Sequence, residues 1–210
     1  DVDRLGIYSV GTETVLGLNF DQGKASRVLT DPDHVQMHEI DRHLSLGLKG
    51  NPAVTELLYL DSYQVCDPRI EPVIAIRSKL LGQDTIRAVC NGYAPAHAQR
   101  LANRRAEGRG GFNSDLAKRT AKHGRHCFRL MVQAEQLLTS GVITVGVSAH
   151  RDELFAIGEL AQNDVDAFLS RFEARQAELD ALPSTLPDTP DFAAAEAFLV
   201  GFQSANLTVA

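Results

Sequence analysis

The chain has 210 residues, 44% of them hydrophobic, which suits one ordinary domain or a compact domain with a helical extension. No apolar run reaches the ~18 residues of a membrane span. No secretory signal pattern opens the chain, and three cysteines without CxxC spacing argue against a disulfide scaffold or structural zinc. A reduced, cytoplasmic, globular protein is expected.

The formal net charge of −6 argues against a generic nucleic-acid coat, yet it averages over a sharp asymmetry. Residues 1–92 carry 9 Lys and Arg against 13 Asp and Glu, residues 93–131 carry 9 against 2, and residues 132–210 carry 3 against 12. A basic middle between acidic flanks marks either a site for an anionic ligand or a solvated helix face.

In chain order, residues 1–10 are rich in strand formers, and Gly11-Thr12 punctuates them. Residues 16–32 are weakly patterned, with turn signals at Asp21-Gln22-Gly23 and Asp31-Pro32-Asp33. A second strand is expected at Val35–Ile40, passing into a helix at Asp41–Leu48 that Gly50 closes. Asn51-Pro52 then opens a helix to Leu60. Further helices are expected at Glu71–Leu81, Asp84–Glu107, Ser114–Ser140, Asp152–Ala161, Asp164–Ala181 and Asp191–Ser204. Gly108-Arg109-Gly110-Gly111 reads as a break, Val142–Val147 as a short strand, and Leu182–Pro190 as a linker. The fold class is α+β: a small mixed sheet followed by a mainly helical portion, divided at about residues 1–69 and 70–210.

Two constellations carry chemistry. Asp1 and Asp3, two apart in a strand, point to one face, and like charges so placed suit a shared cation such as Mg²⁺. The alternative is a pair of exposed acids at a frayed end. On the 114–140 helix, Lys118, Lys122, Arg125 and Arg129 fall on one stripe, with His126 at its edge. Ala117, Ala121, Gly124, Phe128 and Met131 form a separate apolar stripe. No acid at matching spacing relieves the four cations, which fits a polyanion partner such as a triphosphate or an RNA backbone; a water-solvated face remains the rival. His34, His38 and His43 lack zinc-site spacing. Tyr93 fits either base stacking or packing.

The opening Asp-Val-Asp-Arg-Leu-Gly-Ile-Tyr resembles the core strand of polymerase-beta-like nucleotidyltransferases, in the branch linked with RNA repair. The same resemblance is carried by His38-Glu39-Ile40-Asp41, by Lys49-Gly50-Asn51-Pro52 with Glu56-Leu57-Leu58, by Gly92-Tyr93-Ala94 with Gln99-Arg100-Leu101, and by Lys122, His126, Arg129 and Leu130. It implies that Asp1 and Asp3 bind catalytic metal, with two Mg²⁺ ions expected. It favours His126 as a substrate contact beside Lys118, Lys122, Arg125 and Arg129. Glu39 is the candidate third carboxylate, facing the same way as Val35 and Met37 if that segment is a strand; Asp41 is its rival, and an acid favoured merely by a helix N-terminus is the other account. The implied reaction moves an NMP from an NTP to a hydroxyl, an RNA end being one acceptor. Such enzymes carry a Gly-Ser phosphate-binding turn upstream of DxD, so a chain opening on Asp1 is expected to be N-terminally truncated. The alternative function is a non-catalytic nucleotide- or RNA-binding module on a degenerate fold of this type. A blander third is a helical interaction protein with an accidental opening.

Overall fold

The computed structural model describes residues 4–18, 26–29, 35–92, 114–146 and 148–207. The architecture is α+β, with a small mixed sheet followed by helices, as the sequence pattern predicts. The chain forms two compact units, one built from residues 1–82 and 189–210 and the other from residues 83–188.

In the first unit, β1 (Arg4–Tyr8), β2 (Ser26–Leu29) and β3 (Val35–Glu39) form a sheet of order β1-β3-β2. Strand β3 lies parallel to β1, from Arg4 opposite Val35 to Tyr8 opposite Glu39, and antiparallel to β2. Residues directly opposite share a face, so Glu39 and Met37 lie on the side of Tyr8 and Gly6, whereas Leu5 and Ile7 lie on the other with Gln36 and His38. The contact agrees: a Cβ on Gly6 would stand 3.1 Å from Met37 Cε.

Helix α1 (Thr12–Leu16) follows β1, and α2 (Ile40–Leu48) leaves β3 without a loop. Helix α2 packs on β1, β3, α3 (Pro52–Leu57) and α9 (Phe192–Ala205). The core so formed contains Ile40, Leu44, Val54, Leu58, Val73, Leu80 and Leu81. The joint between α2 and α3 is set by three consecutive residues. Gly50 adopts φ 69°, its amide donates to the Gly47 carbonyl at 2.8 Å, and the Asn51 amide donates to Leu46 at 3.0 Å. That pairing closes the helix through a left-handed residue, which favours glycine. Asn51 Oδ1 then accepts from the Val54 amide at 3.2 Å, and Pro52 takes the first helical position. Helix α9 is fastened by the Asp191 amide donating to Lys79 at 2.8 Å and by Asp191 Oδ1 capping Ala194 at 3.0 Å.

Several expected elements are corrected. The strand ends at Glu39, and Ile40 already belongs to α2. Helix α3 stops at Leu57 rather than Leu60, because the Tyr63 hydroxyl donates to the Leu57 carbonyl at 2.8 Å and Arg77 donates to that of Leu58 at 3.1 Å. These side chains satisfy carbonyls that another turn would have used. The Glu71–Leu81 helix is α4 (Glu71–Ala75) followed by a 3-10 turn, Arg77–Leu80, across the β-branched Val73, Ile74 and Ile76. Residues 142–146 form no strand; the Thr144 amide donates instead to Gln136 Oε1 at 3.0 Å. Strand β2 and helix α1 fall in stretches the sequence leaves unassigned. The Gly108–Gly111 break, Tyr93 and the segment Gln99–Leu101 lie outside the described residues.

The second unit is helical: residues 83–92 (α5), α6 (Ser114–Ser140), α7 (Arg151–Asn163) and α8 (Val165–Ala181). The expected helices here agree to within one or two residues for α6, α7 and α8; of the Asp84–Glu107 helix, residues 84–92 are described and helical. The apolar stripe of α6 is its buried face, with Ala121, Phe128 and Met131 all under 10% exposed. Phe128 meets Phe168 of α8 at 5.8 Å between ring centroids. Helices α6 and α7 approach so closely at Gly124 that a Cβ there would stand 2.6 Å from that of Ala161.

Gly50→Ala is expected to lower stability by about 1–2 kcal/mol, the cost of a left-handed non-glycine residue. Asn51→Ala should cost ~1 kcal/mol through the lost cap. Urea unfolding with an unchanged slope is the check; midpoints equal to wild type would show that the α2–α3 joint is not under this constraint.

Candidate active site

Glu39 is the point at which β3 becomes α2. Its backbone is still extended, at φ −61° and ψ 148°, and its Oε2 accepts from the Asp41 amide at 2.7 Å as the helix N-cap. The side chain is 0% exposed. Glu39 Oε1 and Asp41 Oδ1 are both buried without a hydrogen-bond partner among the described residues. Burial pushes the Glu39 carboxyl up to about 7, and a hydrogen bond and repulsion from the Asp41 carboxyl push the same way; the Asp41 and Val10 amides pull against them without prevailing. Glu39 therefore keeps its proton to a higher pH than an exposed acid would.

His43, on the same turn of α2, is wholly buried with neither ring nitrogen partnered among the described residues, and burial drives its pKa down to about 3. It is a neutral core residue. Among the described residues no group of three or more His, Cys, Asp and Glu is arranged to hold a metal. Asp1 and Asp3 lie outside the described residues.

Beside this junction, at the carboxyl end of β1, a cleft of about 490 Å³ opens. Tyr8, Val10 and Gly11 form one wall, Asp67 and Arg69 another, and Phe202 and Asn206 of α9 a third. Open sheets bind ligands outside the carboxyl ends of their strands, and the volume is in the range of small-ligand sites. Arg69 is clamped by Asp67 through Nε at 3.0 Å and Nη2 at 2.7 Å, which holds the Asp67 carboxyl low, at about 2. The Thr12 hydroxyl ties the α1 side to α9, lying 2.7 Å from the Gln203 carbonyl. The cleft is invisible to sequence reading, since its walls are far apart in the chain and no local period marks them.

The basic stripe lies in the second unit. On α6, Lys118 and Lys122 are exposed, while Arg125, His126 and Arg129 are half-buried toward the helical core. Arg125 extends over the ring of Phe155 on α7, 4.9 Å from its centroid. The four cations thus keep their common helix but divide into two solvent-facing lysines and two arginines drawn into packing.

The chain belongs to the RNA repair pathway DNA polymerase beta family, whose model matches residues 1–185, from the opening DxD through α8. Helix α9, which supplies one wall of the cleft, lies beyond the matched residues. Neither the curated proteins nor the solved structures gave a match. No helix among the described residues is long and apolar enough to cross a membrane.

A group whose folded pKa is raised binds its proton more tightly when folded. Stability from Glu39 is therefore complete below its ordinary value of 4.5 and falls as pH rises through about 7. In metal-free buffer the urea midpoint is expected to decline across that window. Glu39→Gln, neutral at every pH, should flatten the decline; an unchanged pH profile in the variant would show that Glu39 ionises as an exposed acid does.

Proposed function

We propose that this chain transfers a nucleotidyl group from an NTP to a hydroxyl acceptor, an RNA end, with Glu39, Asp1 and Asp3 as the metal-holding carboxylates and Mg²⁺ as the ion. The observation that carries the reading is the Glu39–Asp41 pair in a chain of the polymerase beta family: a buried Glu39 beside a half-buried Asp41, with Glu39 Oε1 and Asp41 Oδ1 both shut off from solvent and without a hydrogen-bond partner among the described residues. Oxygen donors of this kind fit a hard divalent cation, which would displace the Glu39 proton and relieve the repulsion between the two carboxyls. Ions held there would neutralise phosphate charge and lower the pKa of the attacking hydroxyl.

The chain's own residues then divide the work. Glu39 holds charge at a fixed place because the β3–α2 junction leaves its backbone no freedom and its Oε2 is pinned by the Asp41 amide. Lys118 and Lys122, exposed on α6, are the contacts assigned to triphosphate or RNA phosphate, with His126 and Arg129 on the same side of that helix. Positioning and charge neutralisation are most of what phosphoryl chemistry asks of a protein.

The test uses an α-labelled NTP, a short RNA with a free 3′-hydroxyl, and Mg²⁺. Label is expected to pass to the RNA, and Glu39→Gln should reduce the rate on the order of 100-fold with the circular dichroism spectrum unchanged. Transfer at the wild-type rate by the variant would remove Glu39 from the site. Nucleotide binding by calorimetry without any transfer would assign the chain to the non-catalytic binding module instead.

A further inference from the structure

In the second unit, α7 presents an aromatic ring to solvent. Phe155 is 47% exposed, which is unusual for a phenyl group on a helix otherwise buried through Leu154, Ile157 and Ala161. Two guanidinium groups flank it. Arg125 reaches it from α6 at 4.9 Å from the ring centroid, and Arg151, one turn earlier on α7, lies at 5.5 Å.

The arrangement depends on a missing side chain. A Cβ on Gly158 would stand 2.9 Å from Arg125 Cγ and 3.2 Å from its Nη1, so glycine leaves the channel through which Arg125 crosses α7 to the ring. Helix α7 also carries Asp152, Glu153 and Glu159, and Glu153 lies 3.8 Å from His150. Among the described residues neither Arg125 nor Arg151 forms an ion pair with any acid. Lys122, exposed, precedes Arg125 by three residues on α6, and Lys118 precedes Lys122 by four, so the cations continue along one edge from the ring.

We propose that Arg151, Phe155 and Arg125, continued by Lys122, form a stacking platform for single-stranded RNA. A patch meant only to stay in water would pair its arginines with the acids at hand and would not expose a phenyl ring between them. A protein partner would be met by a broader apolar surface, whereas here one ring is set among unpaired cations. Planar guanidiniums and an aromatic ring offer bases a surface to stack on, and the same cations neutralise the phosphates between those bases. The inference rests on the RNA-end acceptor proposed above and names where the strand leading to that end lies.

The experiment measures binding of a fluorescent single-stranded 12-nucleotide RNA by anisotropy at several salt concentrations, with NTP binding measured separately by calorimetry. Phe155→Leu, which keeps an apolar side chain at an exposed site, is expected to weaken RNA binding on the order of 10-fold with the salt slope unchanged. Arg151→Gln should weaken it and also reduce the logarithmic salt slope by about 0.7, one phosphate contact on a single strand, with Arg151→Lys recovering the slope but not all the affinity. NTP affinity should be unaffected by any of them. Wild-type affinity in both Phe155→Leu and Arg151→Gln would overturn the platform while leaving the RNA reading in place. Failure of the wild-type chain to bind RNA while it binds NTP would overturn the platform and leave the transferase reading standing. If polyglutamate-coated beads or anionic vesicles bind the chain as RNA does and Phe155→Leu changes nothing, the patch recognises charge alone and the proposal fails.

Discussion

Placing the Glu39 carboxyl out of reach of water, beside that of Asp41, sets a condition that the surrounding chain must meet. Unpaired, its charge would cost on the order of several kcal/mol in such a place. The first unit meets the condition partly with backbone amides, from Asp41 at the start of α2 and from Val10 just past β1, and partly with a proton retained on Glu39. Because those amides come from the ends of two neighbouring parallel strands, the acid pair also fixes how β1 and β3 terminate. The direct passage from strand to helix follows: an intervening loop would remove the N-cap geometry that gives Glu39 its one hydrogen bond within 2.7 Å.

The two faces of α6 show a different balance. Its apolar side is committed to packing so close that only glycine fits at position 124, and its charged side is graded. Toward the N-terminal half the lysines stand in water, and further along Arg125 lies over the Phe155 ring of α7. A lysine ammonium keeps its hydration, whereas a guanidinium is weakly hydrated and lies flat on an aromatic ring at little cost. Residue type thus decided which cations stand alone in water and which lies against the ring.

Much of the fold was legible where local rules are strong. The Lys49-Gly50-Asn51-Pro52 block could be read as the end of one helix and the start of another because glycine, asparagine and proline each have one preferred backbone role there. The α6 stripe was legible because 27 residues give several full turns of periodicity. Short elements were not: β2 has four residues among turn formers, and α1 has five. The early end of α3 was beyond sequence reading, since the groups that stop it belong to Tyr63 and Arg77. Of the site, Glu39 could be placed on the strand beside the first, with Asp41 near it, but the burial of Glu39 and the side of the sheet it occupies follow from register and tertiary packing. Phe155 and Arg151 gave no signal, because an exposed ring and an unpaired arginine look like any other residues of an amphipathic helix until Gly158 is seen to admit Arg125.

The chain leaves the first unit at Gly82 and returns to it at Thr189, and the two crossing points are held side by side. The Gln83 and Asp84 amides donate to the carbonyls of Pro187 and Asp188 at 2.8 and 3.0 Å, and Gly82 lies against Pro190 so closely that a Cβ would stand 2.5 Å from it. On the ribosome this ordering has a cost. The sheet, α2 and α3 are made early, yet the helix that completes their core and one wall of the cleft is synthesised only after the whole of the inserted unit has emerged. Until then the apolar surface that α9 covers stands open, and the speed with which the insert folds, bringing its ends together, sets how long that exposure lasts.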